Sequence, residues 1–293
     1  MFFMINLKSF FKNVSLKNYC TFNIGGNAKY LYVAHSTRQL INVCYFCKRH
    51  NIKYKIIGCG ANLLFSDEGF NGAIIVNKTQ KVKLKNNLVV CESGVNLTKL
   101  IYILKDKNFG GFETLASIPA TVGGAVVNSL SAFDVNLCDF VVSVECAHKN
   151  DIKKKIILSN SECCFDYRNS IFKTENYIIT KVVFKVKDRD KKLIENNISL
   201  AVNKKLKSQP VGELSAGSVF KRCSIIPSKV VDELGLKGAC FGGARISEKH
   251  AGFIVNDGNA TCLDVLQLIK FIKQNVFDAT GEIIETEIEY VDY

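Results

Sequence analysis

A serine beside a glycine and two cations stands out in the second half of the chain. The segment from Ser215 to Arg222 reads Ser-Ala-Gly-Ser-Val-Phe-Lys-Arg. A serine hydrolase would carry a second glycine and a partner histidine, but that glycine is missing and His250 is the only histidine downstream. A serine hydroxyl can instead give up a proton when positive neighbours stabilise the charge left behind. Ser218, followed by Lys221 and Arg222, is therefore a candidate proton donor.

Two loops of glycine and small residues could hold a ligand through the backbone. The first runs from Gly58 to Leu64 after a predicted strand, and the second from Ile118 to Ala125. Glycine lets the backbone approach a ligand and point N–H groups at an anion. The first loop has neither the Gly-Lys-Ser/Thr of a Walker loop nor a third glycine, so a plain tight turn remains an alternative. Together the loops favour holding a diphosphate cofactor over hydrolysing a nucleotide.

Charged groups stand out in two other places. Arg168 follows Tyr167 and is one of only six arginines among 39 basic residues. Only arginine offers a fixed two-pronged donor to carboxylates and phosphates, although a surface ion pair remains an alternative. Near the C-terminus, Glu285, Glu287 and Glu289 alternate with apolar or uncharged residues, which predicts a strand with one acidic face. Such a face is usually exposed to solvent.

The formal charge of +12 raises the question of nucleic-acid binding. The lysines are scattered along the whole chain, and no basic run alternates with aromatic residues as a base-stacking surface would. This pattern favours a solvated, lysine-rich surface whose field can attract anionic substrates such as nucleotides.

Twelve cysteines and the absence of long apolar runs bear on the compartment. Only Cys44 and Cys47 have a metal-like gap, and no second pair follows with histidine, so we predict no metal and place both on the core face of a helix. Unpaired thiols are typical of a reducing cytosol. No apolar run approaches the roughly 18–20 residues of a membrane span, and Met1 to Phe11 is a poor signal peptide. The sequence predicts a cytoplasmic protein.

The elements that must position these residues mix strands and helices, which indicates an α+β or α/β fold. The polar stretch from Lys187 to Ser208 predicts a helix-containing connection and a domain boundary. Near the C-terminus, Thr261 can cap a helix that ends at Gly281. The other predicted elements are strands over Lys29–Ala34, Tyr54–Ile57, Ala73–Val76, Leu88–Cys91, Gly252–Asn256 and Ile284–Tyr290, and helices over Thr37–Arg49 and Leu97–Lys107.

Eight ordered motifs resemble one family, the UDP-N-acetylenolpyruvoylglucosamine reductases, and cover nearly the whole chain from about residue 15. The motifs are Thr21 to Gly26, Gly58 to Leu64 with Asp67, Ile118 to Asn128, Phe165 to Lys173, Gln209 to Arg222, Gly235 to Gly238, Gly242 to Asn256 and Gly281 to Val291. The length and the Phe-Lys-Arg after the serine resemble the compact class, which lacks an extra substrate-covering loop. The stretch from Ser129 to Phe133 departs from the family's usual Asn-Ala-Gly-Ala.

The resemblance implies an FAD-binding domain of the vanillyl-alcohol-oxidase type in two subdomains, residues 1–78 and 79–190. It also implies a C-terminal α+β substrate domain, residues 191–293. The family oxidises NADPH and reduces the enolpyruvyl group of a UDP-sugar, giving UDP-N-acetylmuramate for peptidoglycan. Carried over by motif, Ser218 is the proton donor, and Arg168 and Glu287 stabilise the developing charge.

The resemblance also implies the binding residues. Tyr167, Lys221 and Arg222 would bind the substrate. The FAD-binding positions would be Gly58, Cys59, Gly60, Ala61, Asn62, Leu63, Ile118, Pro119, Thr121, Gly123, Gly124 and Asn128. We expect a monomer with no nucleic-acid or membrane partner. Two rivals stay open, namely an FAD-dependent sugar oxidase of the same fold and a non-catalytic protein that binds nucleotides or RNA.

Overall fold

The computed structural model describes residues 5–293. They form two compact units, each built from separate stretches of chain. Unit 1 comprises residues 5–10, 31–58 and 73–204, and unit 2 comprises residues 11–30, 59–72 and 205–293. Residues 1–4 lie outside the described residues. They belong to the predicted range 1–78 and to the segment, Met1 to Phe11, that is interpreted as a poor signal peptide. The three-domain division stays a prediction.

Helices and strands follow one another along the chain, with a long irregular stretch between Ser208 and Pro227 that contains Ser218. The helices are α1 (Thr37–Arg49), α2 (Leu97–Lys105), α3 (Val122–Val127), α4 (Ile171–Thr174), α5 (Lys191–Ser208), α6 (Pro227–Glu233) and α7 (Cys262–Thr280). The strands are β1 (Phe11–Ser15), β2 (Asn27–Ala34), β3 (Tyr54–Ile57), β4 (Leu63–Phe65), β5 (Phe70–Asn77), β6 (Val82–Lys85), β7 (Leu88–Glu92), β8 (Phe109–Gly110), β9 (Ser131–Ala132), β10 (Val135–Asn136), β11 (Val141–His148), β12 (Asp151–Ser159), β13 (Tyr177–Lys185), β14 (Lys187–Asp188), β15 (Cys240–Phe241), β16 (Ala244–Ile246), β17 (Ile254–Asn256) and β18 (Glu289–Val291). Among the described residues, no helix is both long and apolar enough to cross a membrane.

Unit 1 is organised around an antiparallel sheet of five strands in the order β12-β11-β13-β7-β6. Its apolar face packs with α2 and α3 into a continuous core that includes Val89, Leu100, Val126 and Val182. A second pairing in this unit is parallel, with Tyr54 of β3 opposite Ala73 of β5. The core therefore supports the helix that follows Thr121, while the strand that leads to Gly58 is held by its pairing with β5.

Helix α1 shows how local sequence sets an element. The Ser36 side chain accepts a hydrogen bond from the Gln39 N–H and caps the first turn. Leu40, Val43, Cys44 and Cys47 are fully buried on one face, as apolar residues at spacings of three and four require. The predicted bounds and the placement of both cysteines on the core face are confirmed. Burial raises the pKa of Cys47 to about 12, so its thiol stays protonated at neutral pH.

Unit 2 contains the antiparallel sheet β15-β16-β17, the parallel pair β4 and β18, and helix α7. Thr261 and Asp264 form a capping box at the start of α7, and Gly281 ends it with a φ of 73°. The prediction for this helix is confirmed. The prediction of one strand over Ile284–Tyr290 is wrong, because only Glu289–Val291 forms a strand.

The stretch before β18 changes partner along its length, which explains that error. The Lys221 N–H donates to the Glu285 carbonyl, and Thr286 forms an isolated bridge with Phe220. Further on, Glu289 of β18 lies opposite Leu63 of β4. The side-chain alternation is nevertheless preserved, because Ile284 and Ile288 are buried while Glu285 and Glu289 are exposed.

Helix α7 receives a second cap from a distant carboxylate. The Asp67 side chain accepts hydrogen bonds from the N–H groups of Cys262 (2.8 Å) and Leu263 (3.1 Å). These donors have no partner within the helix, and a negative charge is favourable at this end. We expect Asp67→Asn to lower the free energy of unfolding by about 1–2 kcal/mol, measured by urea denaturation.

The matched control for Asp67→Asn is Asp278→Asn, because the same charge is lost at the other end of α7. A carboxylate near a helix C-terminus is unfavourable, so this control is expected to be neutral or slightly stabilising. Equal losses from both substitutions would contradict the assignment of Asp67 as a cap.

Candidate active site

Ser218 lies in an extended segment of unit 2 that is paired on both sides. The Val219 N–H donates to the Gly252 carbonyl at 2.9 Å, and the Val219 carbonyl accepts from the Glu287 N–H at 2.7 Å. Ser218 itself forms a bridge with Phe253. Its neighbours Val219 and Phe220 are buried whereas Ser218 is exposed. The ladder therefore anchors the main chain and presents the serine hydroxyl to solvent.

Glu287 is distinguished from the other two glutamates by its surroundings. It is half-buried, while Glu285 and Glu289 are exposed. The Asn62 side chain donates from Nδ2 to the Glu287 carbonyl at 3.0 Å, and the Asn62 carbonyl accepts from the Glu289 N–H at 2.9 Å. The structure thus brings together three positions that the sequence placed in separate motifs, Ser218, Glu287 and Asn62. No sequence signal links Asn62 with a residue 225 positions away.

Lys221 forms an ion pair with Glu285, which lies two residues before Glu287. Its Nζ lies 2.8 Å from Oε2 of Glu285, and this ammonium holds the pKa of the Glu285 carboxyl below its ordinary value. Arg222 is exposed. Two cations therefore follow Ser218 closely in the sequence, and Lys221 is paired with Glu285.

In unit 1 the two predicted cofactor loops touch each other. A Cβ added to Gly58 would lie 2.3 Å from Oγ1 of Thr121, a distance that no side chain can adopt. Thr121 is buried, and its Oγ1 accepts from the Gly124 N–H to cap α3. The Gly123 N–H donates to the Ser93 carbonyl at 2.7 Å. Gly58 is therefore required by its packing against Thr121, and Gly123 by its packing against Ser93.

Gly60, in unit 2, is also required by close packing of the backbone. Its φ is +67°, in the left-handed region that favours glycine. A Cβ there would also lie 2.1 Å from the Tyr19 carbonyl oxygen. The protein's own packing thus explains this glycine, while the adjoining Cys59, Ala61 and Asn62 are half-buried.

The residues around the second loop suit an anionic cofactor with a polar edge. Pro119 and Gly124 are exposed, and Ile118 and Asn128 are half-buried. The Lys173 Nζ lies 3.2 Å from Oδ1 of Asn128, which brings a cation to the end of the loop. The Thr114 hydroxyl is buried and has no hydrogen-bond partner within residues 5–293, so a polar ligand would satisfy it. These features fit FAD.

The Arg168 side chain is half-buried and is held by contacts with its neighbours. The backbone of Arg168 is left-handed, with a φ of +53°. The Nη1 donates to the Ser131 carbonyl at 3.2 Å and to the Ser131 hydroxyl at 3.3 Å. The guanidinium carbon lies 5.5 Å from the centre of the exposed Tyr167 ring. No sequence pattern predicts a role for Ser131 or for Lys173, although Lys173 is the last residue of the motif that contains Arg168.

Comparisons with known proteins cover nearly the whole chain. Residues 28–151 match the family model described as FAD binding domain, and residues 209–291 match the C-terminal domain of UDP-N-acetylenolpyruvoylglucosamine reductase. A curated UDP-N-acetylenolpyruvoylglucosamine reductase of Thermotoga petrophila is 37% identical over 280 residues, which cover 94% of this chain and 96% of the relative. One of Clostridium botulinum is 32% identical, with 94% of this chain and 90% of the relative covered.

A solved structure agrees with these matches. The crystal structure of UDP-N-acetylenolpyruvylglucosamine reductase from Thermus caldophilus superposes with a TM-score of 0.81 and 31% identity, covering 94% of this chain and 97% of that chain. The predicted α+β class, with an FAD-binding domain and a C-terminal substrate domain, is thereby confirmed. The chain belongs to the family of UDP-N-acetylenolpyruvoylglucosamine reductases.

Proposed function

We propose that this chain is an FAD-dependent oxidoreductase that uses NADPH to reduce UDP-N-acetylglucosamine enolpyruvate to UDP-N-acetylmuramate. The product is a precursor of peptidoglycan, and we place the enzyme in the cytoplasm as a monomer without nucleic-acid or membrane partners. The observation that carries the proposal is the ladder in which the Glu287 N–H binds the Val219 carbonyl, next to Ser218. This ladder belongs to a chain whose relatives carry the reductase name over nearly its full length.

Bound FAD would supply the transfer of hydride from NADPH to the enolpyruvyl group. We assign its binding to the two loops predicted from the sequence, Gly58 to Leu63 and Ile118 to Asn128. The cation of Lys173 beside Asn128 and the unsatisfied Thr114 hydroxyl support this assignment. The buried Thr121 side chain caps the helix within the second loop.

The chain's own residues are needed for the proton and for charge stabilisation. Hydride arriving at the β-carbon leaves negative charge on the α-carbon, next to the substrate carboxylate. A carbanion is basic enough to take the proton of the Ser218 hydroxyl, which forms the new C–H bond and leaves an alkoxide. Lys221 and Arg222 supply positive charge close to that alkoxide in the sequence. Arg168 and Glu287 polarise the enolpyruvyl group and stabilise the charge, and Tyr167 contributes to substrate binding.

The test of this function is an anaerobic titration followed by visible absorption. Adding NADPH to the FAD-loaded protein should bleach the flavin band, and adding the enolpyruvyl UDP-sugar should restore it. A flavin that stays bleached until air is admitted would favour the sugar oxidase. A protein that cannot be loaded with FAD and loses RNA affinity steeply with salt would favour the binding protein.

Asn62 offers a separate check on the cofactor loop. Leucine at this position has a similar size but cannot donate to the Glu287 carbonyl, so the loop loses its side-chain hydrogen bond to that segment and keeps only main-chain pairing with it. We expect Asn62→Leu to retain less FAD per protein after gel filtration, measured by flavin absorbance. The control is Asn71→Leu, an exposed position on β5 in the same unit. Full FAD retention by Asn62→Leu would contradict the placement of the cofactor at this loop.

A further inference from the structure

A short hairpin of unit 1 holds the residue that contacts Arg168. Ser131 pairs with Asn136 and Ala132 with Val135, so Phe133 and Asp134 form a two-residue loop. Both loop residues are left-handed, with φ values of 53° and 60°. This is the geometry of a type I′ turn, which ordinarily takes Asn-Gly, and a bulky phenylalanine adopts it only when the surroundings impose it.

The hairpin is held by contacts at its turn and at its base. The Lys204 Nζ lies 5.7 Å from the centre of the Phe133 ring. The Leu137 N–H donates to the Leu130 carbonyl at 3.0 Å and closes the base of the hairpin. Ser131 is therefore fixed in register, and its carbonyl and hydroxyl are presented together to one partner.

That partner is Arg168, whose main chain is held independently. The Lys173 Nζ donates to the Arg168 carbonyl and to Asn128 Oδ1, each at 3.2 Å. The Ser170 hydroxyl donates to the Val127 carbonyl at 2.7 Å and joins the same two segments. The backbone of Arg168 is held by these bonds, and the two contacts of Nη1 with Ser131 restrain where the planar guanidinium points.

We propose that Ser131 is a positioning residue for Arg168 and that its hydroxyl sets the plane of the guanidinium for the substrate. The inference rests on the proposed function, in which Arg168 stabilises charge on the enolpyruvyl group. A planar fork binds a carboxylate strongly only when both of its donors are aligned with the two oxygens. Holding one nitrogen on two acceptors of the same residue limits rotation about the last bonds of the side chain.

The test compares Ser131→Ala with Ser131→Thr in the FAD-loaded enzyme. Alanine keeps the carbonyl contact and loses the hydroxyl, so we expect single-turnover reduction of the sugar to slow by roughly 10- to 150-fold at saturating substrate, the effect of one hydrogen bond to a charged group. Reduction of FAD by NADPH should be unchanged. Threonine keeps the hydroxyl and should restore most of the rate. Ser143→Ala, on β11 of the same unit, is the control for removing a serine hydroxyl.

A double-mutant cycle with Arg168→Lys separates positioning from general loosening. Lysine has no planar fork for Ser131 to align, so Ser131→Ala should add less than about 2-fold to the effect of Arg168→Lys. Multiplicative effects of the two substitutions, or failure of Ser131→Thr to restore the rate, would overturn the positioning role. If Arg168→Lys alone leaves sugar reduction unchanged, the proposed role of Arg168 fails, and this inference fails with it. If Arg168→Lys slows that step while Ser131→Ala does not, only the inference fails.

Discussion

Replacing Ser218 with alanine should slow electron transfer to the enolpyruvyl sugar by roughly 10²–10⁴-fold, the range for a lost general acid. The proton must come from a group within reach of the α-carbon, and alanine has none to give. Reduction of FAD by NADPH does not need this proton and should stay near its normal rate. Stopped-flow measurement of the two half-reactions, each by flavin absorbance, separates these expectations.

We expect Ser218→Ala to leave the local backbone structure unchanged. The hydrogen bonds of this ladder run through the main chain of Val219 to Gly252 and Glu287, so they do not need the serine side chain. The exposed Ser224 lies in the same part of the chain, and Ser224→Ala is the matched control that should leave both rates unchanged. Equal slowing of both half-reactions by Ser218→Ala would show that the serine supports the structure or the cofactor and does not donate the proton.

Removing Arg189 should lower the free energy of unfolding by about 3–5 kcal/mol, because the Glu113 carboxylate would lose its cation while remaining buried. Only 2% of Glu113 is exposed, and it accepts hydrogen bonds from Arg189 Nη1, from the Asn197 side chain and from the Gly111 N–H. This cluster ties the start of α5 to the segment just before the second cofactor loop. Urea unfolding of the FAD-loaded Arg189→Ala variant measures the loss.

The loss should also depend on pH, with a sign set by Glu113. Burial raises the pKa of this carboxyl, but hydrogen bonds from Gly111, Asn197 and Arg189 outweigh burial and bring it below the ordinary value of 4.5. A pKa lowered by folding contributes stability above the unfolded value, and that contribution is lost as the pH falls through the folded value. Arg189→Ala should therefore cost most near neutral pH and progressively less in acid.

The control for Arg189→Ala is an ion pair that the protein does not bury. Lys229 and Glu233 form an i,i+4 pair on α6 at 3.6 Å, with both side chains mostly exposed. Lys229→Ala should cost less than about 1 kcal/mol, because water already solvates both charges. An Arg189→Ala loss as small as this would mean that Glu113 is protonated or solvated in the folded protein.

The local sequence pattern was sufficient to predict the bounds of the elements whose apolar residues recur with strong periodicity. Helix α1 and strand β3 have the predicted bounds, and α7 begins and ends at its predicted caps. In each case the information is contained in neighbouring residues, such as the apolar face of α1 or the Thr261–Asp264 box. The segment after Gly281 was mispredicted as one strand, since its pairing partners, Phe220 and Leu63, are far away in the chain.

The functional residues were predictable from local sequence, whereas their contacts with distant residues were not. Residue types and motif order alone pointed to Ser218, Arg168 and Glu287 and to two cofactor loops, because a family's reacting groups sit in short segments that keep their spacing. Tertiary structure alone shows that Asn62 binds the Glu287 main chain, that Gly58 packs on Thr121 and that Ser131 holds Arg168. These contacts join residues 37 to 225 positions apart, and only the folded backbone brings such residues within hydrogen-bonding or van der Waals distance.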